Sequence, residues 1–88
     1  MVFAFTGFLL TSTGNQRELT LGSTTLGNAL NELAAKLPQT KRLLFDNAGN
    51  LREAHRIVIN GELTPHPDLA MQLSHEDRVE FFTAIAGG

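Results

Sequence analysis

The alternation of apolar and polar positions divides the chain into strand-like and helix-like stretches in a definite order. Val2 to Leu10 is rich in Phe and Leu, and Ser12-Thr13-Gly14-Asn15 follows with turn-forming residues. Glu18-Leu19-Thr20-Leu21 then alternates polar and apolar, as a strand with one buried face does. Together these two stretches predict a β-hairpin. Leu26, Ala29, Leu30, Leu33, Ala34 and Leu37 recur at the i, i+3, i+4, i+7, i+8, i+11 spacing of one helix face. Thr24 or Ser23 is placed to cap that helix, and Pro38 to end it. Gly27 in its first turn costs up to about 1 kcal/mol of helix propensity against Ala. Close packing of the helix on the sheet would offset that cost.

The second half is read from its interruptions. "KRLLF" has no decisive period, and Asp46-Asn47-Ala48-Gly49-Asn50 after it is a loop. Ile57, Val58 and Ile59 run into Asn60-Gly61, a strong hairpin signal. Pro65 and Pro67 exclude a regular strand from the next stretch, where Leu69 and Leu73 are the expected anchors into the core. "RVEFFTAIA" alternates again: Val79, Phe81 and Thr83 face one way, Glu80 and Phe82 the other. The order is two strands, a helix, then two or more strands. A mixed sheet covered on one face by one main helix accommodates it, an α+β architecture.

Composition narrows the chemistry. The chain has 88 residues, no Cys, and a formal net charge of −2. A single domain of that size buries roughly 60–65% of its unfolded surface. Without Cys there are no disulfides, thiolate metal sites, iron–sulfur clusters or Cys nucleophiles, and a reducing cytoplasm is the expected location. The mild acidity argues against nucleic acid and membrane surfaces as partners. "MVFAFTGFLL" is apolar but lacks a basic start and a cleavage site, so it reads as a first strand.

Few residues present catalytic groupings. His55, His66 and His75 are scattered over loops without metal-ligand spacing and are expected to be exposed or locally hydrogen-bonded. Ser74-His75-Glu76-Asp77 has triad residue types, but adjacent turn positions cannot act as nucleophile, base and orienter; it reads as a tight turn. Lys41, Arg42, Arg52 and Arg56 form a modest basic group around the middle loop, read as a solvated face, with a partner contact as the alternative. The chain is expected not to be an enzyme by itself.

The end of the sequence is different. "FFTAIAGG" closes a strand-like run with two glycines, the residue that loses most freedom when ordered. The expected organisation is a domain over 1–83 and a flexible tail over 84–88. A glycine carboxylate has no Cβ beside it and is ionised at neutral pH, since α-carboxyls titrate near about 3.5. Such a group can enter a narrow pocket and attack the α-phosphate of ATP. Ala84 to Gly88 reach about 17 Å when extended.

The hairpin, the "TLGNALNEL" helix, the "LLFDNAGNL" loop, the "VINGE" turn and the terminal "AIAGG" together resemble the ubiquitin-like β-grasp sulfur carriers. These are the relatives of the molybdopterin-synthase small subunit and the thiamine-biosynthesis carrier. The likeness is nearest to the branch serving cysteine synthesis, with its T-L-G helix start and A-[IV]-A-G-G end. It implies that an E1-like adenylyltransferase joins the Gly88 carboxylate to AMP from ATP. A sulfur donor then displaces AMP, and a sulfur-accepting synthase consumes the thiocarboxylate. ATP is used by the partner, and no cofactor is bound by the carrier. Gly87 matches the slim penultimate glycine, and Ala86, Ile85 and Ala84 the small or aliphatic lead-in. Phe82 matches the outward position that docks the activating enzyme. Thr83 departs from the Pro that many relatives carry there, and the Pro65–Pro67 stretch has no close counterpart. Two other readings share the fold: a ubiquitin-like modifier joined through Gly88 to lysines, and an interaction module with an incidental tail.

Overall fold

The computed structural model describes residues 1–7, 9–52 and 55–83. Along them run β1 (Val2–Phe5), α1 (Leu9–Ser12), β2 (Glu18–Thr20), α2 (Leu26–Lys36), α3 (Pro38–Leu44), β3 (His55–Ile59), β4 (Glu62–Leu63) and β5 (Arg78–Thr83). The strands form one mixed sheet in the order β2-β1-β5-β3-β4. The last strand therefore lies at the centre, parallel to β1 and antiparallel to β3. This is the expected α+β arrangement, with the sheet packed on one main helix, α2, and two shorter helices beside it.

One face of the sheet makes the core. Phe3, Phe5, Ile57, Ile59, Val79 and Phe81 are buried with Leu26, Ala29 and Leu33 of α2. Phe81 is its hub: its ring meets Phe3 edge-on at 5.2 Å and stacks with Phe5 at 5.7 Å. Both geometries suit the aromatic quadrupole and add to the gain from burial.

Local structure departs from the pattern-based expectation at several places. The first strand stops at Phe5, where Gly7 turns the chain at φ +63°, and Leu9–Ser12 forms a helical turn. Leu9 is fully buried there, and a short apolar run does not distinguish a strand from a buried turn of helix. Thr25, not Thr24 or Ser23, caps α2: its side chain accepts from the Asn28 N–H at 3.3 Å. The other two are engaged elsewhere. The Thr24 carbonyl accepts from the Leu73 N–H, and the Ser23 hydroxyl donates to Glu32. Pro38 does end α2, but it also opens α3, where its fixed φ suits the first helical position. "KRLL" belongs to that helix.

Leu73 is buried as expected, whereas the Leu69 side chain is 50% exposed. The anchor at that position is the backbone. The Leu69 carbonyl accepts from the Gly27 N–H at 2.8 Å, and a Cβ at Gly27 would stand 3.1 Å from that oxygen. Gly27 thus permits a close approach to a loop rather than to the sheet. Turn chemistry holds where it was read. Asn60 and Gly61 both take positive φ between β3 and β4, the pattern of a type I′ hairpin. Asp46 Oδ1 accepts from Ala48 and Asn50 N–H groups. Asp77 closes the Ser74–Asp77 turn by accepting from the Ser74 N–H and from Asn60 Nδ2. These bonds hold its carboxyl below the ordinary range.

Candidate functional site

β5 carries the expected division between its two sides. Val79 and Phe81 are fully buried, while Glu80 and Phe82 are half-buried on the side away from the helices. Strand register places Phe82 beside Arg56 of β3, and sets Glu18, Ala4, Glu80, Val58 and Leu63 in one row across that outer face.

The outer face has two halves of different chemistry. From β5, Arg78 reaches over β1 to an ion pair with Glu18 of β2, and its Nε lies 3.8 Å from Glu80. Ala4 lies between Glu18 and Glu80 in the same row and is 3% exposed although it faces away from the core. On the other half, among the described residues, Val58 and Phe82 are half-buried and Leu63 is 56% exposed. Phe82 therefore sits on the apolar half, at the end of the strand that precedes the C-terminal segment. An aromatic side chain in that setting is suited to anchor a partner.

Gly88, Gly87, Ala86, Ile85 and Ala84 lie outside the described residues. Thr83, the last described residue, pairs in register with His55. His55 is not on a loop, as expected, but opens β3 and is 5% exposed. Its Nδ1 lies 3.4 Å from Thr83 Oγ1. Burial holds its pKa below the ordinary value near 6.5; the Arg52 guanidinium acts in the same direction, and a hydrogen bond to the Leu43 carbonyl opposes it. The signal for this placement was in the sequence: His55 stands two and four residues before Ile57 and Ile59, on the apolar face of that strand.

His66 and His75 are exposed, as expected. Arg42 and Arg52 meet through a bond from Arg52 Nε to the Arg42 carbonyl, while Arg56 lies on the outer face with its guanidinium on the His55 carbonyl. A hollow of about 760 Å³ opens between the middle loop and the Pro65–Leu69 stretch, bordered by Arg52, His55 and His66. Among the described residues no cluster of three or more His, Asp or Glu could hold a metal ion. Among them, too, no helix is long and apolar enough to cross a membrane.

A central C-terminal strand, a helix-covered inner face and an open outer face define a β-grasp, ubiquitin-like protein. The ThiS family model matches residues 5–88, and the chain belongs to that family. A search of curated proteins finds no match. Solved structures with the same fold include SAMP1 from Haloferax volcanii, at 24% identity and TM-score 0.77, covering 100% of this chain and 98% of that one. The CysO of an Amycolatopsis orientalis BexX/CysO complex shares 19% identity at TM-score 0.78, with coverage of 99% and 98%. Urm1 from Sulfolobus solfataricus shares 22% at TM-score 0.72, with coverage of 94% and 99%. At these identities the likeness is one of fold.

Proposed function

We propose that this protein is a sulfur carrier that works through the carboxylate of Gly88. An E1-like adenylyltransferase of the MoeB/ThiF type transfers AMP from ATP to that carboxylate and releases pyrophosphate. A sulfur donor attacks the acyl-adenylate carbonyl, AMP leaves with its bonding electrons, and a thiocarboxylate remains. A sulfur-accepting synthase then takes the sulfur into a biosynthetic product such as cysteine, molybdopterin, thiamine or a thio-metabolite. The observation that carries this reading is the family match, which runs through the Gly-Gly end. The outer face supports it, since Phe82 is a half-buried aromatic side chain on the strand that precedes the segment an activating enzyme must grip. The work falls in the cytoplasm, where ATP and the partner enzymes are present.

A second reading, a modifier joined through Gly88 to lysines, is favoured by the likeness in fold to SAMP1, the small archaeal modifier protein 1 of Haloferax volcanii. Both readings begin with the adenylate, and intact mass separates them. Incubation with ATP, a sulfide source and the cognate activating enzyme adds an oxygen-to-sulfur increment to a carrier. A modifier instead appears in conjugates of higher mass that vanish when Gly88 is deleted. Full cellular function after removal of Gly87 and Gly88 would sink both readings and leave an interaction module.

A further inference from the structure

Asn60 does more than turn the chain between β3 and β4. Its side-chain amide also ties that turn to the start of β5. Oδ1 accepts from the Arg78 N–H at 2.9 Å, and Nδ2 donates to Asp77 Oδ1 at 3.0 Å. An amide oxygen accepts and an amide nitrogen donates, so the two partners fix its orientation. The other Asp77 oxygen accepts from the Ser74 N–H at 2.6 Å, and the Asp77 carbonyl accepts from the Val2 N–H at 2.8 Å. One amide therefore joins the β3–β4 turn, the Ser74–Asp77 turn and, through Asp77, the start of β1.

The same amide stands where it can be lost. Of the asparagines in the chain, Asn60 alone is followed by glycine. Glycine has no Cβ to obstruct the approach of its nitrogen to the preceding side chain. Asn60 and Gly61 are both exposed, so water reaches them. In such a pair the glycine nitrogen attacks the side-chain carbonyl carbon and gives up its proton. The side-chain nitrogen leaves with that proton as ammonia, and a cyclic imide remains. Water then adds across either of the two imide C–N bonds within the chain, giving aspartate or isoaspartate. Water is the only other reactant.

We propose that Asn60 is a deamidation site, and that its conversion breaks the tie between the β3–β4 turn and the start of β5. The aspartyl product keeps the turn, since Asp-Gly suits a type I′ hairpin as Asn-Gly does. Its carboxylate can still accept from the Arg78 N–H. The donor is what disappears: the atom facing Asp77 Oδ1 becomes a carboxylate oxygen. Two ionised carboxylates have no proton to share there, and they repel. Asp77 is then driven from a position that also serves Ser74 and Val2. The isoaspartyl product adds a methylene to the backbone of the turn and disturbs it further. Since the ammonia is lost, the change runs one way. It marks the age of a molecule and loosens the central strand at the end away from Thr83.

Two measurements on the free protein test this, and neither depends on the carrier reading. In the first, wild-type protein is held at mildly alkaline pH and mapped by peptide mass over time. The peptide with Asn60 and Gly61 gains the mass of an amide becoming an acid before any peptide with another asparagine does. In the second, hydrogen exchange by NMR reports protection of the Ser74 and Val2 amides. N60D lowers that protection about fivefold, as loss of one modest hydrogen bond does. D77N lowers it too, because one of the two donors around position 77 then meets an amide nitrogen. N60D/D77N restores it: the new amide donates to the new carboxylate and still accepts from the Ser74 N–H. Earlier conversion at another asparagine, wild-type protection in N60D, or no recovery in the swapped pair overturns the proposal.

Discussion

Phe81 and Phe82 are neighbours of the same residue type on the same strand, yet they have separate duties. Phe81 is fully buried between Phe3 and Phe5 and closes the core. Phe82, one residue on, points to the opposite face and is half-buried there, beside Arg56 of β3. The period of two in a strand is all that separates them. It lets one short element supply the fold with its hub and set a second aromatic ring on the outer face.

The comparison can be broken most forcefully from the inside. F81A should cost about 3–5 kcal/mol in denaturant unfolding, the range for removing a buried aromatic ring. Such a loss approaches the whole stability of a small domain, so the variant is expected to be largely unfolded. F82A should leave stability within about 1 kcal/mol of wild type. Its effect should instead appear in affinity for the activating enzyme, lowered about tenfold or more in a calorimetric titration. Equal losses of stability from the two variants would abolish the distinction between the faces.

His55 gives a finer probe of the inner side. Its pKa is depressed in the folded protein, so the unfolded chain binds more protons in the window below its ordinary value near 6.5. Stability measured by urea unfolding should therefore be fully present above that value. It should decline as pH falls toward the folded pKa, and H55F should lack that component. The smallest effect belongs to the ionic half of the outer face. R78A should change stability only slightly at low salt and indistinguishably from wild type at about 1 M salt, because its partners are exposed and screened. A large loss that survives high salt would mean that Arg78 acts by the packing of its stem rather than by charge.

The central features were legible in the sequence because they follow from periodicity or from turn chemistry. The α2 face, the Asn60-Gly61 hairpin and the two sides of β5 all belong to this group. What escaped depended on contacts distant in the chain. Leu9 follows a strand and looks like part of it, and only its burial beneath the sheet explains the helical turn. Three hydroxyl residues in a row, Ser23, Thr24 and Thr25, are equivalent as caps until Glu32 and Leu73 claim the first two. Leu69 has the composition of an anchor, yet its carbonyl does the anchoring. His55 was read as a loop residue, although its spacing from Ile57 and Ile59 places it on the buried face. For the candidate site, the family resemblance rested on the order of elements and on the Gly-Gly end, both local properties of the sequence. The link between His55 and Thr83 was hidden, since the two lie in different strands.

The central position of β5 also has a mechanical consequence. A force applied at Thr83 along the strand loads its bonds to β1 and β3 together, in shear, rather than opening them one at a time. An enzyme that draws on the C-terminal segment can therefore pull hard without unravelling the domain behind it. A machine that unfolds proteins by threading them from that end meets its greatest resistance at the first strand.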